Sequence, residues 1–405
     1  MRAACFAICL GFPLLAGPQL SLRQAVSEAL SAHPLLAAGA ERTRASEAQR
    51  LQAGLRPNPR LILQLENLRA WGTPGWAYGR DADSFVYLSQ LFETAGKRER
   101  RVEAAQLAVR RAELELELLR RQVAARVKQA YWVAVGAQRQ HQILLQTEQT
   151  FRQVIEYHEH RVREGAMAEA DLLRVRLEGE RLAIAANAAA LEAERTRIQL
   201  FREMGRTQFE PVELTEPLEA PAVPAVVPDP LRALEARPEM QLARLAVEQA
   251  RAGLRLAEAG ARPDLDLLLG YKRTAGFNTL LGGVQWNLPL LNRNQGTIAA
   301  ARAEMRAAES SLAATEALIR AEVRAAAAEY ELRRGQLLES SRLLRAQAAE
   351  SARIAQAAYR EGGTDLLRLL DAERVRLDTE MLYSRTLTEY RQSIAALETA
   401  MGVEP

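Results

Sequence analysis

Two hydropathy patterns alternate along this chain, and each occurs twice. In one, apolar side chains recur at intervals of three and four, the signature of an amphipathic helix. In the other, apolar and polar residues alternate over about ten positions, the signature of a strand with two unlike faces. The first helical pattern runs from about Ser21 to Ala53, with Pro34 as a kink or early break, and stops in QAGLRPNP. RLILQLENLR then places Leu61, Leu63 and Leu65 on one face against Gln64 and Glu66, with Ile62 as an apolar exception. The Gly/Pro-rich loop AWGTPGWAYGRDAD leads to a second short run, SFVYLSQLF, and ETAGKRERRVEAA opens a long helix.

The second half repeats this order. A helix over about Pro230 to Ala259 ends in EAGARPDL. DLDLLLGYKR sets Leu265, Leu267, Leu269 and Tyr271 against Asp266 and Lys272. After TAGFN, the run TLLGGVQWNLPLL puts Leu280, Gly282, Val284, Trp286 and Leu288 on one face and Gln285 and Asn287 on the other. A further long helix follows from NRNQGTIAAARAEM. AGLRP at Ala53 matches AGARP at Ala259, although the spacing of the two copies differs slightly.

The long helices carry heptads. Val102, Ala105, Val109, Ala112, Leu116, Leu119 and Val123 alternate by three and four before the seam shifts to Val127, Ala130 and Ala134. Ile298, Ala301, Met305, Ala308 and Leu312 do the same in the second copy, with Ile319 one heptad further on, and the pattern continues to a turn at Gly362. Each long helix holds roughly 65 residues, a span on the order of 100 Å at 1.5 Å per residue. Alanine at many seam positions permits close packing on more than one face. Such helices can form a closed wall as well as a solid bundle.

Each long helix breaks at a related turn, REGAMAEADLL from Arg163 and REGGTDLLRLL from Arg360. Gly165 and Gly362 suit the left-handed residue that ends a helix. Asp365 and Thr364 can cap the returning helix, while Glu169 and Asp171 put negative charge at the start of the other. Each turn reads as the tip of an antiparallel hairpin, with the strand pairs at the opposite end. The fold class expected is mainly α with a small β part: long helical hairpins and four strands per chain. Runs of nine to eleven residues suit tilted membrane strands, and they equally suit an amphipathic sheet in a soluble protein. Four strands cannot close a barrel, and open edges are too costly in lipid. Membrane insertion therefore requires several chains to build one barrel.

Composition narrows this little further. The chain has 405 residues, 54 basic and 51 acidic, with a net charge of +3 and only three lysines. The charges are interleaved, so no nucleic-acid partner is expected. Residues 1–17 read as a signal peptide containing both cysteines, Cys5 and Cys9, so a mature chain would form no disulfide; no lipid anchor is expected. No later segment approaches the ~18 apolar residues of a membrane helix. Six of the 16 prolines fall between Glu210 and Pro230, so residues 209–230 read as an extended connector between repeats at 18–208 and 231–405. No phosphate loop or dinucleotide fingerprint occurs, and no catalytic site or cofactor is expected. His158 and His160 in HEH point to nearly opposite sides of a helix, so no metal site is expected.

From Ser21 to Gly402 the order of elements resembles the outer-membrane efflux family typified by TolC. AGLRPNPRLILQLEN, LSQLFETAGKRERRVEAA, PLLNRNQGTIAAARAE and the two tips carry the likeness, and ETAGKR is similar to the Czc-type, heavy-metal branch. The resemblance implies a homotrimer with a 12-strand barrel in the outer membrane of a Gram-negative bacterium and an α-helical tunnel in the periplasm. It implies a periplasmic adaptor at the tips and an inner-membrane pump of the resistance-nodulation-division type, with no catalysis in the conduit. Tip residues Arg163, Glu164, Gly165, Asp171, Arg360, Glu361, Gly362 and Asp365 become candidates for adaptor docking and, through their charges, for the aperture. Leu61, Leu63, Leu65, Leu265, Leu267, Leu269, Val284 and Trp286 become candidates to face lipid. The family's first tip carries a small hydroxyl residue where this chain has Ala168, which weakens the cap. Heavy-metal cations lead as cargo; drug efflux, type I secretion, and a soluble coiled-coil scaffold are the alternatives.

Overall fold

The computed structural model describes residues 18–68, 71, 75–219, 224 and 227–403. The expected signal peptide, and parts of the first strand loop and of the Pro-rich connector, lie outside them. In chain order the elements are β1 (Gln19–Leu20), α1 (Leu22–Ala32), α2 (Pro34–Ala53), β2 (Arg60–Glu66), α3 (Tyr78–Asp81), β3 (Asp83–Phe92), α4 (Lys97–Arg163), α5 (Glu169–Glu203), β4 (Glu213–Leu214), α6 (Pro230–Ala236), α7 (Pro238–Gly260), β5 (Leu265–Thr274), β6 (Phe277–Trp286), α8 (Gln295–Gly335), a π-helical segment (Gln336–Ser341), α9 (Arg342–Arg360) and α10 (Leu366–Ala400). The chain forms two compact units, each built from both halves of the sequence. One takes residues up to Ala37, 119–236 and 319 onwards; the other takes 38–118 and 237–318.

The second unit contains the antiparallel sheet, in the order β2-β3-β5-β6. Leu61 pairs with Leu88, Leu88 with Leu269, and Leu269 with Gly282, so the apolar positions of all four strands fall on one face. β6 stops at Trp286, five residues short of the end of its apolar run, and Leu288 lies beyond it. Pro289 has no N–H to offer a ladder there.

The ETAGKR stretch is a joint between the repeats. Thr94 N–H and Lys97 Nζ both reach Asp264 Oδ1, at 2.9 and 2.7 Å. Ala95 and Gly96 take positive φ and turn strand into helix. Arg98 and Arg101 donate to the carbonyls of Gly54 and Ala53 at the end of α2, at 2.6 and 2.9 Å. Those are carbonyls that a helix C-terminus leaves without intrahelical partners.

The first unit packs α4, α5 and α10 around Ile143, Leu144, Phe151, Val175, Leu182, Leu366, Leu369 and Leu377. α5 and α10 each have 35 residues, and their first residues, Glu169 and Leu366, are 197 apart. Both end in the same turn: Gly205 and Gly402 take positive φ, and the next residue donates five positions back, to Phe201 O and Glu398 O. β1 and β4 form a short parallel pair, held by Tyr131 Oη donating to Leu20 O at 2.9 Å. Arg391 lies over the Trp132 ring and donates to the carbonyls of Pro217 and Leu218 in the connector.

Two differences from the sequence reading have local causes. The helix expected over Pro230–Ala259 is two helices, because Pro238 opens a new one at its first position, where its missing N–H costs nothing. The second long helix is not continuous α-helix: the π-helical segment interrupts it between Gly335 and Arg342.

Candidate functional site

The two tips in the first unit are built by the same hydrogen bonds. Gly165 N–H donates to Val162 O at 3.0 Å and Ala166 N–H to Arg161 O at 2.9 Å. Gly362 and Gly363 repeat this against Tyr359 O and Ala358 O, at 3.1 and 2.7 Å. This is the Schellman ending, with its glycine left-handed at φ +71° and +75°. A Cβ at either glycine would meet nothing within 4 Å, so backbone conformation, and not space, demands the glycine.

The returning helices start differently. Asp365 Oδ1 accepts the Arg368 N–H at 2.9 Å and caps α10. Ala168 holds the equivalent place before α5 and has no side chain to offer; Glu169 and Asp171 supply charge only. Arg163, Glu164, Arg360, Glu361 and both tip glycines are exposed, and Asp171 is half-buried, 3.6 Å from Arg174. Among the described residues, no ion pair or hydrogen bond joins the four charges Arg163, Glu164, Arg360 and Glu361 to one another.

What joins the two hairpins near the tips is a pair that sequence reasoning missed. His158 on α4 is 1% exposed, and its Nδ1 lies 2.7 Å from Val154 O. A carbonyl can only accept, so Nδ1 carries the proton and Nε2 accepts from Tyr359 Oη on α9, 2.9 Å away. Burial pushes the Tyr359 hydroxyl up from its ordinary value and keeps it a donor. His160 is exposed, so the two histidines of HEH do face different surroundings. The signal for His158 was available as a histidine on the helix's packed side. Its partner, 201 residues away, had no sequence signal.

Beside this pair lies a cavity of about 600 Å³, lined by Phe151, Val154, Tyr157, Tyr359, Leu369 and Leu370 together with Arg161 and Arg360. A second, more polar cavity of about 740 Å³ lies between Arg139 and Ile143 of α4 and Arg342, Arg345 and Ala349 of α9.

In the second unit, the eight residues expected to face lipid share one face of the sheet and are all exposed, from 39% at Leu265 to 69% at Leu63. Val86, Leu88, Phe92, Tyr271 and Leu280 extend that face. On the opposite face the buried Asp266 carboxylate accepts from the exposed Arg60 at Oδ2, 2.6 Å, and from the buried Ser89 Oγ at Oδ1, 2.6 Å. The outer edges of β2 and β6 pair with no strand among the described residues.

Comparison with known proteins places this architecture. The family model described as "Outer membrane efflux protein" matches residues 25–206 and 230–403. The cobalt-zinc-cadmium resistance protein CzcC of Cupriavidus metallidurans is 24% identical over 96% of this chain and 92% of its own length. Among solved structures, a membrane protein from Pseudomonas aeruginosa superposes with TM-score 0.80 at 20% identity, covering 94% of this chain and 90% of that one. A structure of CusC, described in terms of folding and transmembrane channel formation, gives TM-score 0.79 at 19% identity, covering 94% and 92%.

Proposed function

The chain belongs to the outer membrane efflux protein family, and from that membership we propose that it serves a tripartite export system whose cargo is heavy-metal cations. It is an outer-membrane channel component and not an enzyme. Three copies close one 12-strand barrel, four strands from each. The observation that carries this reading is the sheet with one exposed apolar face and two edges that are unpaired among the described residues. Only closure with further copies satisfies such edges in lipid. Leu61, Leu63, Leu65, Leu265, Leu267, Leu269, Val284 and Trp286 face the lipid, and the Arg60–Asp266 side faces the lumen.

The tips meet a periplasmic adaptor that connects the channel to an inner-membrane pump of the resistance-nodulation-division type. Arg163, Glu164, Gly165, Asp171, Arg360, Glu361, Gly362 and Asp365 form the docking tips, and the first two and Arg360 and Glu361 ring the aperture. The likeness to CzcC supports the metal cargo. ETAGKR adds little of its own, because Thr94, Lys97 and Arg98 are engaged in holding the strands to α2 and α4. The test is a susceptibility panel: delete the gene, restore it on a plasmid, and grow the cells in graded zinc, cobalt, cadmium, copper, silver and several drugs. Rescue against cations alone is the expected result. Rescue against drugs alone would assign the drug-efflux branch and overturn the metal cargo.

A further inference from the structure

We propose that the cleft between α4 on one side and α9 and α10 on the other binds an anionic amphiphile, a straight-chain carboxylate or alkyl sulfate of about twelve carbons. This goes beyond the export reading and does not depend on it. The two cavities of about 740 and 600 Å³ form one cleft, because Thr147, Thr150 and Arg376 line both. Its two parts differ in chemistry, and the difference is that of a head and a tail.

The polar part holds a surplus of positive charge. Arg139, Arg342, Arg345 and Arg376 line it against one acid, Glu380. Over the whole cleft, six arginines stand against two glutamates. Both acids are already engaged, Glu380 with Arg345 at 2.6 Å and Glu373 with Arg376 at 2.8 Å. Arg342 makes no hydrogen bond or ion pair among the described residues. An uncommitted guanidinium beside three others suits a carboxylate, sulfate or phosphate head, which it can grip with two parallel hydrogen bonds. A metal cation would meet the wrong charge, so the cargo proposed above is not this ligand.

The other part is apolar. Phe151, Val154, Leu369 and Leu370 line it, and the polar atoms of His158 and Tyr359 are spent on each other. Mostly apolar walls with a few convergent polar groups are the usual make-up of a small-molecule site. From Thr147 to Tyr157 the cleft follows α4 for about ten residues, about 15 Å, the length of an extended dodecyl chain. Size excludes a helix from a partner protein. A helix about 10 Å across and 15 Å long needs about twice the 600 Å³ present.

The test is equilibrium dialysis of radiolabelled laurate against the purified assembly in phosphatidylcholine nanodiscs, with empty discs as the blank. Saturable binding of one laurate per chain is expected. Thr150, at the junction of the two parts, and Arg342 are both exposed. Thr150→Trp, which blocks the tail's path, and Arg342→Gln, which removes the free charge, should therefore assemble normally. Each should weaken binding at least tenfold. If Thr150→Trp does not assemble, Thr150→Phe takes its place. Dodecyltrimethylammonium, with the same tail and the opposite charge, should not displace laurate. Absent or unsaturable binding overturns the proposal, as does displacement by that cation. A loss in one variant alone, or in neither, also overturns it, because head and tail must both be held.

Discussion

Nε2 of His158 sits 2.9 Å from the hydroxyl of Tyr359, and the two rings stack with centroids 5.9 Å apart. Tyr359→Phe keeps the stacking and removes the donor. It leaves a buried ring nitrogen unpaired, a loss of about 1–3 kcal/mol. The assembly should form normally but conduct more often in planar bilayers. Unchanged conductance would show that the aperture does not depend on this bond.

The tip glycines should resist substitution for a reason that can be isolated. Gly165→Ala and Gly362→Ala each force an L-residue into left-handed backbone and should destabilise the tip by about 1–2 kcal/mol. Gly253, inside α7, has equal free space and no positive φ. There the same change should stabilise the helix by about 0.5–1 kcal/mol. Hydrogen exchange at the tips and along α7 reads both.

Ala168→Ser should supply the cap that α5 lacks. The expected gain is about 0.5–2 kcal/mol, seen as slower exchange of the first α5 amides. Asp365→Ala should produce the reverse at the start of α10. If Ala168→Ser leaves the α5 amides as fast as before, the bare cap is not what limits that helix.

Gly270 on β5 faces Tyr87 so closely that a Cβ would overlap the Tyr87 Cβ and the Val86 carbonyl. Backbone cannot yield there without separating β3 from β5. Gly270→Ala should abolish the folded sheet and reduce recovery of assembled protein from the outer membrane at least tenfold. Full recovery would mean that the strands can shift to admit a methyl group.

Acid should loosen the α1 end of the first unit in two steps. Burial holds the pKa of His33 below its ordinary 6.5, and its Nδ1 accepts the Leu35 N–H at 3.1 Å. The paired hydrogen bonds from Arg206 hold the Glu28 carboxyl below its ordinary 4.5. Both groups bind protons more readily when unfolded. Each contribution is therefore complete above the ordinary pKa and is lost as pH falls toward the folded one. Amide protection of α1 should decline below about pH 6.5 and again below about 4.5. His33→Gln should remove the first step only.

Much of this architecture was legible in the sequence because it rests on local rules. SFVYLSQLF gave β3 to within one residue, since period-two alternation marks a strand with two unlike faces. Both tips were legible because a glycine after a long heptad run, followed by an acid, has few other readings. The remainder depends on partners distant in sequence. Nothing around Gln336 announces a π turn, because its side chains follow the same helical spacing as their neighbours. Asp266 read as the polar side of a strand; that it joins Arg60, and that Asp264 just before the strand joins Lys97, follows only from strand order. Tyr359 carries no mark in the sequence that pairs it with His158, 201 residues away.

The open edges of β2 and β6 also set how mutations combine in a cell. A chain whose strands cannot pair with a neighbour spoils every barrel it joins. If half of the copies carry such a defect, only about one three-chain ring in eight is free of it. Edge mutations should therefore behave as dominant in merodiploid cells. Defects that prevent a chain from joining at all should be recessive, because the healthy copies still close rings among themselves.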